Sequence, residues 1–114
     1  MLAFHQRVLG LIEQNLQINL LRGGSYQFIV PTETTTIVNG IFFPQAFHYR
    51  ISPIDTKKIT VEFIHFMYQH RMETGIIPSR AIMREQFPHE FCPRPCNYSV
   101  GINIIERLIN EDNN

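Results

Sequence analysis

A chain of 114 residues with 44% hydrophobic and 11% aromatic side chains has the composition of one folded domain, with only the polar tail 111–114 left for disorder. Ten Lys and Arg balance ten Asp and Glu, so the formal net charge is zero and no general attraction to polyanions is built in. No apolar run approaches the roughly 18 to 20 residues that span a bilayer, and LAFHQRVLGLIEQNLQINLLR is too interrupted by Glu13, Gln14 and Asn15 for a signal peptide, so a cytoplasmic protein with no membrane contact is expected.

Along residues 2–22, Phe4, Val8, Leu11, Ile12, Leu16 and Leu20 recur at three- and four-residue intervals, the spacing of one helix face. Leu9, Ile18 and Leu21 widen the stripe, so this helix wants contacts on two sides, from its own domain or from a second copy. Gly23-Gly24 ends it. SYQFIV, TTTIV and FHYRIS then bring β-branched and aromatic residues, and Asn39-Gly40 between TTTIV and IFF suits a two-residue hairpin because both turn positions need positive φ. Phe47, Tyr49 and Ile51 alternate with His48, Arg50 and Ser52, one set for the core and one for water. Pro31 and Pro44 cannot donate to a ladder and belong at strand ends, edges or bulges. A small antiparallel sheet of about two or three strands is expected.

Ser52-Pro53-Ile54-Asp55 has the chemistry of a helix start: a capping hydroxyl, a proline suited to the first turn and an early negative charge. Ile59, Val61 and Phe63 alternate as in a strand, whereas Ile59, Phe63, Phe66, Met67 and His70 follow helical spacing. The pattern runs on through Gln69-His70-Arg71-Met72-Glu73 without a turn signal, which favours the helix. Gly75 stops it, Pro78-Ser79 starts the short helix RAIMREQF, and Pro88 limits that one. PHEFCPRPCNY, with three prolines, reads as an irregular connection. Ser99 or Asn97 would cap a last helix that aligns Val100, Ile104 and Leu108, with Ile105 and Ile109 beside them and Asn103, Glu106, Arg107 and Asn110 outside. The expected fold is α+β, one domain over 1–114, with a helix and β-hairpin region at 1–52 and a three-helix unit at 53–111.

Charge is unevenly distributed along the chain. Residues 1–49 are balanced, Arg50 to Arg84 hold six basic against three acidic residues, and the remainder carries a matching negative excess. The helix ending at Gly75, the bend Gly75-Ile76-Ile77-Pro78-Ser79-Arg80 and the short helix after it resemble the start of the winged helix-turn-helix domain of LexA-type repressors, over residues 57–110. The resemblance implies that 100–110 is the recognition helix. Asn97, Tyr98, Ser99, Asn103 and Arg107 would then reach base edges or phosphates of double-stranded DNA, with Arg80 and Arg84 on phosphates. The chain would be a small DNA-binding regulator, dimeric, with no cofactor. A plainer reading leaves the helices as core and the arginines as solvated surface. A third makes the domain a non-enzymatic protein-interaction module, a homodimer or an accessory or inhibitory subunit, that uses the same fold without DNA.

His89, Cys92 and Cys96 form H-x-x-C-x-x-x-C, part of a zinc-like spacing whose fourth ligand would have to come from His5, His48, His65 or His70. Two thiols in a proline-stiffened loop is the simpler reading, and no metal is expected. A disulfide across CPRPC would need the two Cα atoms within reach and an oxidising compartment. Glu62, His65, Tyr68, His70 and Glu73 are acid-base types, yet no phosphate loop, nucleophile signature or paired-carboxylate motif accompanies them, so no enzyme is expected.

Overall fold

A computed structural model of the protein describes residues 2–14, 17–19, 25–29, 35–38, 41–52, 55–91 and 96–113. Helix α1 (Leu2–Gln14) leads into six strands: β1 (Gln17–Asn19), β2 (Ser25–Ile29), β3 (Thr35–Val38), β4 (Ile41–Pro44), β5 (Ala46–Ser52) and β6 (Asp55–Thr60). Helices α2 (Val61–Thr74), α3 (Arg80–Gln86), the single turn α4 (Pro88–Phe91) and α5 (Cys96–Asp112) follow. The fold is α+β, as its two periodicities require. Its sheet is larger than expected: an antiparallel four-stranded sheet in the order β1-β2-β5-β6, with β3 and β4 paired separately.

The first helix is shorter than its apolar stripe. Leu16 to Leu20 alternate apolar and polar residues, a strand pattern, and Gln17 pairs with Gln27 of β2 where a fifth helical turn was expected. Phe4, Val8, Leu11 and Ile12 are buried in the chain's own core; Leu16, Leu20 and Gly23-Gly24 lie outside the described residues. In the β3-β4 ribbon Val38 pairs with Ile41, and Asn39-Gly40, where the hairpin turn was expected, also lies outside the described residues. Strand β5 alternates as its sequence says: Phe47 and Tyr49 are buried and Arg50 is exposed.

The helix start expected at Ser52-Pro53-Ile54-Asp55 gives way to strand at Ser52 and Asp55, with Pro53 and Ile54 outside the described residues. Ser52 pairs with Asp55 across the β5-β6 hairpin, and the chain stays extended to Thr60 because Ile59 is drawn into the core from a strand paired along its length with β5. Helix begins at Val61, capped by Thr60, whose backbone (φ −86°, ψ 152°) is extended and whose hydroxyl accepts from the Phe63 amide at 3.1 Å. Both periodicities around Ile59 to Phe63 are real, one after the other. The Val61 amide donates to the Gln45 carbonyl at 2.8 Å, so the junction is pinned to the start of β5.

Glu90 of α4 completes this junction. Its carboxylate accepts from the Thr60 amide at 2.8 Å and from the Thr60 hydroxyl at 2.8 Å. Burial raises the Glu90 pKa above the ordinary carboxylate value, against the opposing pull of those hydrogen bonds. The native state therefore keeps this proton to higher pH than the unfolded chain, and the group's contribution to stability falls as pH rises through the raised value. Glu90→Gln should remove that decline in urea midpoints measured from about pH 4 to pH 7. Glu90→Ala, which strands the Thr60 amide, should cost about 1 to 3 kcal/mol at neutral pH.

Gly75 ends α2 in the left-handed region at φ 82°, its amide donating to the Arg71 carbonyl at 2.9 Å. Ser79 caps α3 by accepting from the Ile82 amide at 3.2 Å. The connection expected to be irregular holds the turn Pro88–Phe91, and α5 begins at Cys96, before either expected cap, and runs into the polar tail as far as Asp112. Residues 92–95 lie outside the described set. Helix α5 crosses α2 closely at Gly101, where an added Cβ would stand 2.5 Å from the Met67 sulfur. Arg7 of α1 donates to the Leu108 carbonyl at 3.0 Å and to Asp112 at 2.8 Å, and the Tyr68 hydroxyl donates to Asp112 at 2.6 Å, which ties α1, α2 and α5 together. Among the described residues no helix is long and apolar enough to cross a membrane.

Candidate functional site

The residues expected to face DNA separate into two groups. Arg80 and Arg84 are exposed on α3, one turn apart. The Arg80 guanidinium lies 4.7 Å from the centroid of the Tyr98 ring, and that of Arg84 lies 5.5 Å from the centroid of the Phe91 ring. Aromatic faces hold both cations while leaving their N–H edges to solvent. Tyr98 is half-buried and donates its hydroxyl to the Pro78 carbonyl at 2.7 Å, so it props Arg80 and the bend before it.

Two of the expected base readers, Asn97 and Ser99, are buried inside the fold. Asn97 is 0% exposed: its side-chain carbonyl accepts from the Tyr49 hydroxyl, and its Nδ2 donates to the Lys58 carbonyl at 2.9 Å. Because α5 starts at Cys96, Asn97 sits in a helical turn packed on β5 and β6 and is not part of an exposed cap. Ser99 is buried too. Half-buried Asn103 donates to the Ser99 carbonyl at 2.9 Å, one turn back on its own helix. Arg107 is half-buried, with Nη1 enclosed and without a hydrogen-bond partner among the described residues. What α5 does expose is Asn110 together with the acidic Glu106, Glu111 and Asp112, and these carboxylates repel phosphate.

Beside the arginines, the end of α2 and the bend form an apolar corner. Met72 and Ile76, 54% and 65% exposed, are the exposed large hydrophobic side chains among the described residues. Polar contacts fix their position. The Thr74 hydroxyl lies 2.7 Å from the His70 carbonyl and 3.1 Å from the Ile76 carbonyl, and His70 Nδ1 lies 3.1 Å from the same Ile76 oxygen. Pro78 is buried and Ile77 half-buried, so the bend tucks these two inward and turns Ile76 out. Neither Met72 nor Ile76 stood out in the sequence, although both fall off the row that carries Phe63 and Met67 inward.

A second concavity, a cleft of about 690 Å³, lies along the outer side of α2 between α1 and the end of α3. It gathers Glu62 and His65 with His5, a set whose first two members are among the acid-base types read from the sequence. Burial, with a contribution from neighbouring His5, lowers the His65 pKa, and its ring stands edge-on to Phe4 at 4.8 Å. His70 and Glu73 do not join them. Among the described residues no three His, Cys, Asp or Glu side chains are grouped to hold a metal ion; Cys92 lies outside them, and the Cys96 sulfur is 3.1 Å from the Tyr49 hydroxyl. No protein-family model, no curated protein and no solved structure matches the chain.

Proposed function

We propose that this domain is a non-enzymatic interaction module that presents the corner of α2, the bend and α3 to a protein partner. The observation that carries this reading is the pairing of exposed Met72 and Ile76 with Arg80 and Arg84 on a rigidly braced bend. Met, Arg and aromatic residues are the types that interface centres favour. Burying what remains exposed of each apolar side chain contributes about 1 to 2 kcal/mol, and ring-held arginines need little further ordering to meet carboxylates. An acidic amphipathic segment is the matching surface.

Double-stranded DNA is the second reading, favoured by the two exposed arginines alone. Two phosphate contacts on a chain of zero net charge give weak binding, since the electrostatic part of the affinity grows with the number of phosphates neutralised. Fluorescence anisotropy with the full chain separates the two readings, using a labelled Leu/Glu amphipathic helical peptide and a labelled mixed-sequence duplex. Saturable peptide binding, weakened about tenfold or more by Ile76→Asp and made less salt-dependent by Arg80→Ala with Arg84→Ala, is expected. Duplex binding lost in the arginine variant, without peptide binding, would replace this reading with the DNA one. Binding of neither probe at about 50 mM salt would sink both.

A further inference from the structure

The cleft along α2 has a chemistry that the α2-α3 corner does not use, and the two sites share no lining residue. Its size falls within the roughly 300 to 1,000 Å³ typical of small-ligand and side-chain pockets. On one wall Lys58 contributes a positive charge and Glu62 a negative one, both exposed at the mouth. The charges of Lys58 and Glu62 cancel, and the imidazoles of His5 and His65 are the other titratable groups of the lining, so a polyanion would meet Glu62, a polycation Lys58, and an uncharged occupant neither penalty.

Glutamines supply the directional groups. Gln45 precedes β5, Gln69 lies on α2, and Gln86 closes α3, and all three stand exposed around the same cleft. A carboxamide offers donors and an acceptor in one plane, which is the complement of a peptide group. The Val61 amide's bond to the Gln45 carbonyl holds one of the three at the junction of β6 and α2. Between them the floor is apolar: the half-buried rings of Phe66 and Phe87 meet nearly at right angles, 78°, with centroids 5.5 Å apart.

The length also fits. Glu62, Phe66 and Gln69 mark one stripe of α2, and seven residues of helix rise about 10 Å. An extended chain covers that distance in about three residues. We propose that this cleft binds an uncharged internal peptide segment about three residues long, laid along α2. Its backbone amides pair with the glutamine carboxamides, and its middle side chain, an apolar one, rests against Phe66 and Phe87.

The test is an NMR titration of the full-length, isotope-labelled chain with acetyl-Ala-Leu-Ala-amide, whose blocked ends mimic an internal segment. Saturable shifts should appear at Phe66 and at the side-chain amides of Gln69 and Gln86 by about 10 mM peptide, the range expected for so small a ligand. Gln69→Ala and Gln86→Ala alter exposed side chains and should fold as the wild type does, yet each should weaken binding about threefold or more. Arg84→Ala, at the other site, should leave it unchanged. No saturable shift at these residues, or full affinity in both glutamine variants, would overturn the proposal. So would binding of the unblocked tripeptide in place of the blocked one, or tighter binding when Glu or Lys replaces the middle Leu. None of these results bears on the α2-α3 corner, whose own probes and variants are separate.

Discussion

Asn97→Leu is expected to destabilise the domain by about 3 kcal/mol or more, since it leaves two groups without their partner at once. The Tyr49 hydroxyl loses its acceptor and the Lys58 carbonyl loses its donor, at a position with no exposure to water. The Cys96 sulfur beside that hydroxyl is a weak substitute. Tyr49→Phe alone should cost about 1 kcal/mol, and the double variant should cost clearly less than the two single losses added, because both act on one network. Urea denaturation measures all three. A midpoint for Asn97→Leu close to the wild type would mean that the buried amide does not join α5 to the sheet. The same substitution would weaken any binding activity through lost stability, so weaker binding in an Asn97 variant is no sign of base readout.

Gly101→Ile should be as damaging, by a different route. The first added carbon already stands 2.5 Å from the Met67 sulfur and 3.5 Å from a Phe63 ring carbon, both side chains being fully buried between α2 and α5. Forcing the helices apart should cost about 3 kcal/mol and lower the melting midpoint by roughly 10 °C or more. Alanine makes the sharper experiment. In a free helix it gains about 1 kcal/mol over glycine, so Gly101→Ala should destabilise the wild type and yet stabilise a Met67→Ala background. If the sign does not change between the two backgrounds, the close crossing at Gly101 is not what demands glycine there.

Local chemistry was readable where one residue decides the outcome. Gly75 and Ser79 bracket the bend as their types require, and the alternation of Phe47 and Tyr49 with Arg50 marks the buried face of β5. Signals that overlap were harder to separate. Ile59 belongs to a strand and Phe63 to a helix, and only the cap at Thr60 tells where one gives way to the other. Ile18 fits both a helical stripe and a strand alternation, and pairing with β2 decided for the strand. The candidate site was readable in part. Arg80 and Arg84 are on the surface as their types suggest, but the rings beneath them come from α4 and α5. Asn97 looks like any polar helix residue until Tyr49, far away in the chain, is folded against it. The cleft is assembled from helices and strands of both halves of the chain, so no short window contains it.

The anchoring of Arg7 on Leu108 and Asp112 also sets an order of events during synthesis. The polar seat of α1 on α5 lies 101 residues further along the chain, so that contact forms only once α5 is made, whereas the packing of Phe4 on His65 and Tyr68 of α2 can form earlier. The strands and α2 can pair with neighbours close in sequence long before that. Closing the Arg7 contact with α5 should accordingly be a late step in refolding, because it joins residues 101 apart in the chain.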